Sequence, residues 1–151
     1  MSNTAISKIV QEQMKQGKNC CQAVIIAASE VYNIPLQTDI MAAASMFGGG
    51  MGSGCSCGAL TGMIMASGVF EQYGSHPLGD KLPGELHDEF KNQFGATCCR
   101  VIKSRRGSLA NIGNRACIEL TSKAADLLIH EWEGILDAGG TATINNHTNV
   151  K

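Results

Sequence analysis

Apolar side chains recur along this chain at steps of three and four, the repeat that aligns one face of an α-helix. Ile6, Ile9, Val10 and Met14 form the first such stripe, which ends near Gly17. Asn19 then stands where an N-cap belongs, with Gln22 three residues on, as a capping box requires. The helix it starts spans 20–32 and includes Val24, Ala28 and Val31 among its apolar positions. Leu36, Ile40, Ala44 and Phe47 mark a third helix, stopped by Gly48, Gly49 and Gly50. Residues 48–54 form a glycine-rich loop that permits unusual backbone angles.

The next helix, 57–73, is apolar nearly all round (Met63, Ile64, Met65, Val69, Phe70) and so belongs at the centre of a bundle. Gly58, Gly62 and Ala66 fall four apart and give it a smooth face for a close neighbour. A loop with two prolines follows at 75–84, then a short helix at 85–94 with Gly95 suited to its C′ position. Thr97 is expected to cap a helix at 98–103, and 104–113 reads as polar, basic loop. Asn114 is expected to cap the last helix, 115–133, whose buried stripe is Leu120, Ala124, Leu127, Leu128 and Trp132. No alternation suggests strands, and no repeat or linker is visible. The expected fold is all-α: a single-domain helical bundle of about five to seven helices around a central apolar helix. The domain is assigned to 1–136, and 137–151 is assigned to a polar C-terminal tail, mobile or reaching onto a partner subunit.

Composition sharpens this. With 151 residues and 44% hydrophobic content the chain can bury a core without covalent staples. Its 12 basic and 13 acidic residues give a formal net charge of -1, which attracts neither nucleic acid nor an anionic membrane. A membrane span takes ~18 consecutive apolar residues, and no segment reaches that, so no membrane insertion is expected. The N-terminus carries no apolar targeting stretch, and the expected location is cytoplasmic. Lys103, Arg105 and Arg106 read as a solvated loop, with partner docking the lesser reading.

That location changes the meaning of the seven cysteines, because a reducing compartment favours metal ligands or catalytic thiols over structural disulfides. They occupy four places: Cys20 with Cys21, Cys55 with Cys57, Cys98 with Cys99, and Cys117. Each place lies at or beside the first turn of an expected helix, where partial positive charge and free N–H groups stabilise thiolate. Neighbouring helical residues diverge by about 100°, so one member of each adjacent pair can face a common site. The competing reading of any one cysteine is a small buried hydrophobe. No C-x-x-C-H is present, so covalent haem is not expected. The glycine loop lacks the lysine and spacing of a phosphate loop. His76, His87, His130 and His147 read as surface residues, the methionines as core filling, and Glu85, His87, Asp88 and Glu89 as a solvated helix face.

Asn19-Cys20-Cys21-Gln22-Ala23-Val24, Phe47-Gly48-Gly49-Gly50-Met51-Gly52 and Cys57-Gly58-Ala59-Leu60-Thr61-Gly62 follow one another along the chain. Phe94-Gly95, Cys99-Arg100 and Cys117 continue in order. Together they strongly resemble the redox-active C_GCAxxG_C_C family over about residues 5–133. Carried over position by position, the resemblance implies Cys20, Cys57, Cys99 and Cys117 as cofactor and metal ligands. That family is similar to the iron–sulfur part of split-Soret cytochromes, which implies a helical fold and a cysteine-ligated cluster, 2Fe–2S or 4Fe–4S. The leading function is then a redox or electron-transfer protein, working with a redox partner protein. Two alternatives stay open: a metal-free thiol–disulfide oxidoreductase, and a structural zinc module with four cysteine ligands. Catalytic residues, enzymatic status and homodimer formation are left open by the sequence.

Overall fold

Asn19 starts the fold's second helix as its residue type predicts. Its backbone is extended (φ -79°, ψ 173°), its side-chain oxygen accepts the Gln22 N–H at 2.9 Å, and Gln22 Oε1 accepts the Asn19 N–H at 3.1 Å. The same side chain donates from Nδ2 to the carbonyls of Ala44 and Ser45, tying the end of the third helix to the start of the second.

The computed structural model describes residues 4–134 and 143–144. Among them are seven α-helices: α1 Thr4–Lys15, α2 Cys20–Val31, α3 Thr38–Ala44, α4 Gly58–Tyr73, α5 Leu82–Phe94, α6 Cys99–Arg106 and α7 Arg115–Gly134. The protein is an all-α bundle, and α4 is its axis, packed against α2, α5 and α7. No described helix is long and apolar enough to cross a membrane.

The small-residue face of α4 explains its closeness to α2. A Cβ placed on Gly62 would stand 2.7 Å from the Cys21 carbonyl oxygen and 3.0 Å from Val24 Cβ. One on Gly58 would strike the Cys20 sulfur and the Phe47 carbonyl. At the far end, Trp132 (1% exposed) meets Phe70 edge-on at 5.1 Å, and Phe70 meets Tyr32 edge-on at 5.0 Å. Edge-to-face packing of this kind adds about 0.5–1.5 kcal/mol to the burial itself. Leu120, Ala124 and Leu128 complete the buried stripe of α7, while Leu127 is half-buried.

Several local readings need correction. The fifth helix begins at Leu82 rather than Glu85, because Pro83 sits in its first turn, where a missing N–H costs nothing. Cys98, not Thr97, occupies the N-cap position of α6, and α6 runs on through Arg106. Asn114 directly precedes α7 but is left-handed (φ 59°), not extended as an N-cap would be. His76 is not a surface residue: it is 5% exposed and stacks on Trp132. Its Nδ1 accepts the Leu78 N–H, and its Nε2 lies 3.3 Å from the Glu131 carbonyl. His87 and His130 are exposed, whereas His147 lies outside the described residues. The 137–151 segment also lies outside them except at Thr143–Ile144. These two residues form a strand pairing antiparallel with Gly74–Ser75.

Candidate functional site

The four helix starts meet at one end of the bundle. Cys20 is the first residue of α2, Cys99 the first of α6, Cys117 the third of α7, and Cys57 occupies the N-cap position of α4. All four line a single cavity of about 350 Å³. Cys21, Cys55 and Cys98 do not line it. Cys21 points into the core, fully buried, with its sulfur 3.7 Å from Met65 Sδ. Cys55 is exposed, and the Cys98 thiol donates to the Gly54 carbonyl at 3.0 Å. In each doublet the cavity thus takes one thiol and leaves the other.

Backbone devices hold these thiols together. Ser56 faces Cys98 across an isolated antiparallel bridge; the Cys57 N–H donates to the Thr97 carbonyl at 2.7 Å, and the Cys99 N–H to the Cys55 carbonyl. That short ladder joins the start of α4 to the start of α6. The glycine loop closes around it. Gly49, Gly50, Met51, Gly52 and Gly54 all have positive φ, and the Cys55 N–H returns to the Gly50 carbonyl at 3.0 Å. Gly50 is required here on two counts. Its φ is +66°, and an added Cβ would stand 2.6 Å from the Cys55 nitrogen and 2.8 Å from Cys99 Cβ.

The cavity is cationic. Lys15, Lys18, Lys103 and Arg106 line it, with no aspartate, glutamate or histidine among the lining side chains. Arg106 Nη1 lies 3.9 Å from Cys117 Sγ. The expectation that Lys103, Arg105 and Arg106 form a solvated loop is therefore revised: they make the last turn of α6, and two of them face the site. Burial pushes the Cys57 thiol up to about 12, against the N–H groups of Ala59 and Leu60, which favour its charged form. Burial also raises Cys20, opposed by the N–H groups of Gly49 and Cys21, and Cys99, opposed by Lys103 and Arg106. Negative charge at Cys99 or Cys117 raises Cys20 further, and charge at Cys117 raises Cys99, so these thiols share one electrostatic environment.

Thiolate is the donor that iron–sulfur clusters and zinc take. Among the described residues no three Cys, His, Asp or Glu side chains already form a donor group for a metal ion. The four thiols line one cavity, and thiolate is the donor type that such centres take. The helix-start positions marked the four places and the family resemblance picked one thiol in each, but neither pointed to the cations. Lys15 and Lys18 flank the turn into α2, and nothing in their spacing shows that α7 brings Cys117 beside them.

The helical bundle thus gathers cysteines from four helix starts around one cationic cavity. The chain belongs to the family described as "Putative redox-active protein (C_GCAxxG_C_C)", which matches residues 18–130. It is also similar to an uncharacterized protein of Archaeoglobus fulgidus, with 27% identity over 131 residues, 78% of this chain and 87% of the relative. No solved structure matches it.

Proposed function

We propose that the chain binds an iron–sulfur cluster through Cys20, Cys57, Cys99 and Cys117 and serves in electron transfer or a small redox reaction. One observation carries this reading: thiols from four separate stretches line one cavity of about 350 Å³ whose charged lining is wholly cationic. A single zinc ion with sulfurs at ~2.3 Å draws its four ligands to within about 3.8 Å of one another and leaves no space between them. A cluster core has a volume of its own. The metal-free dithiol alternative calls for an attacking thiol with a lowered pKa, whereas burial raises Cys20, Cys57 and Cys99; the thiol that is lowered, Cys98, by the N–H groups of Val101 and Arg100, does not line the cavity.

When bound, the cluster would supply one-electron chemistry at a potential that the protein sets. The chain's own contributions are specific. Lys15, Lys18, Lys103 and Arg106 offset the negative charge of four thiolates and favour the reduced, more anionic state. The N–H groups of Gly49, Ala59 and Leu60 act in the same direction at the sulfurs of Cys20 and Cys57. Ile102 and Leu120, both nearly buried, limit water at the inner wall.

The test is anaerobic purification followed by visible absorption and iron, sulfide and zinc analysis. Iron and acid-labile sulfide in equal amounts, with charge-transfer bands, are expected. Colourless protein with stoichiometric zinc would replace this reading with the structural-zinc one. Metal-free protein with a redox-dependent free-thiol count would replace it with the thiol–disulfide one.

A further inference from the structure

The segments beside the cysteine cavity carry a second pattern that cofactor binding does not explain. Among the described residues five large apolar side chains stand exposed: Met46 (75%), Met51 (46%), Val101 (36%), Leu109 (85%) and Ile112 (67%). Single exposed hydrophobes are ordinary on any protein surface. Here all five fall in two short segments, 46–51 and 101–112, and those segments are neighbours. The glycine turn Gly50–Gly54 and the turn Leu109–Asn114 both pack on α6. A Cβ on Gly54 would meet Arg100 Cβ at 3.2 Å, and Asn111 Nδ2 donates to the Lys103 and Gly107 carbonyls.

Charge is distributed on the same plan. From residue 40 to residue 70 the chain has no charged side chain at all. From residue 90 to residue 118 it has Lys91, Arg100, Lys103, Arg105, Arg106 and Arg115 and no acid, although the whole chain is formally -1. The segments that flank the cavity therefore combine exposed apolar side chains with cations, Lys103 and Arg106 reaching the cavity itself, while residues 40–70 and 90–118 contain no acid. Apolar centres with charged rims are the composition of protein docking surfaces, and the charge sets which partner approaches.

We infer that the surface formed by the glycine loop, α6 and the 109–114 turn docks an electron-transfer protein whose own docking face is acidic. The redox role of that partner rests on the cluster reading above; the docking itself does not. Lys103 and Arg106, which line the thiol cavity beside this surface, would bring the partner's centre near the cysteines at the moment of contact. Steering by opposite charge would raise the association rate and make it sensitive to salt. The apolar side chains would then supply the short-range part of the contact, which salt leaves intact.

The experiment titrates the purified full chain, both metal-loaded and metal-free, with two probes: a small acidic iron–sulfur protein and a small basic haem protein. Binding of the acidic probe is expected, weakened by about tenfold from low to physiological salt. The basic probe should not bind. Arg100→Glu combined with Leu109→Ser and Ile112→Ser should weaken acidic-probe binding by about tenfold or more while leaving the melting temperature and metal content unchanged. Glu89→Lys on α5 serves as the control and should leave affinity unaltered. Equal binding of both probes, binding of neither, or full binding by the triple variant overturns the inference. So does sedimentation showing that the same variant abolishes self-association, since a second copy would then be the occupant. Metal content and docking are read separately. Iron absent with docking intact removes the cluster reading alone, and iron present without docking removes this inference alone.

Discussion

The two ends of this bundle are built on opposite rules. At the Trp132 end, α2, α4 and α7 pack aromatic and aliphatic side chains edge to face, and even His76 has both ring nitrogens occupied. At the cysteine end the chain uses left-handed residues in series, exposed hydrophobes, a cationic cavity lining and thiols that burial keeps from ionising. One end is organised for stability. The other gathers left-handed residues, exposed hydrophobes and buried thiols in one place, as the proposed cofactor site would use them.

Substitutions at the two ends should separate accordingly. The largest stability effect is expected from Trp132→Ala. Removing a side chain that is 1% exposed and sits between Phe70 and His76 should cost about 3–5 kcal/mol in urea unfolding. A loss below ~1 kcal/mol would show that the core is not centred there. Next comes Gly62→Ala, where the new methyl meets the Cys21 carbonyl oxygen at 2.7 Å. Overpacking of α4 against α2 should cost about 1–3 kcal/mol. An unchanged melting temperature would mean that the helices can part freely.

The pH dependence sharpens the comparison from the site end. Cys57, ordinarily near 9.0, is raised to about 12 by burial in the folded, metal-free protein. The folded state therefore holds that proton more tightly than the unfolded state does. The stability it contributes is complete below pH 9 and is lost as pH rises through 9 toward 12. Metal-free protein should lose stability across that window, and Cys57→Ala should reduce the slope, the remainder coming from Cys20, Cys21 and Cys99, which burial also raises. A slope unaffected by Cys57→Ala would place the titrating group elsewhere.

The smallest stability effects should come from the exposed or outward cysteines, and they discriminate most finely between sites. Cys55→Ser and Cys98→Ser should leave the melting temperature nearly unchanged and iron content intact. Cys57→Ser and Cys99→Ser should lower iron content sharply. Cys21→Ala should retain iron but lose stability, since its sulfur packs in the core against Met65. Equal iron loss within any doublet would contradict the division of thiols that the cavity makes.

Much of this division was legible in the residue pattern. Asn19 and Gln22 announced their capping box because the interaction is local and needs nothing beyond one turn. The apolar surround of α4 announced a central helix, and Gly58 and Gly62 announced a close neighbour. Helix-start positions singled out the places where thiols gather. What stayed hidden depends on contacts distant along the chain. His76 reads as a loop residue until Trp132 and the Glu131 carbonyl are brought to it from α7. Pro83 reads as a breaker unless the helix is known to start one residue earlier. Arg106 reads as a solvated charge until α7 places Cys117 in front of it. The pairing of Thr143–Ile144 with Gly74–Ser75 is too short to leave an alternating pattern.

The central claim is that Cys20, Cys57, Cys99 and Cys117 hold one shared centre, and anomalous diffraction at the iron edge from anaerobically grown crystals tests it most directly. The account predicts iron density confined to the cavity between α2, α4, α6 and α7, bonded to the sulfurs of those four cysteines. Iron held by Cys21, Cys55 or Cys98 in their place, or a well-ordered cavity without iron in protein purified and crystallised anaerobically, would contradict it.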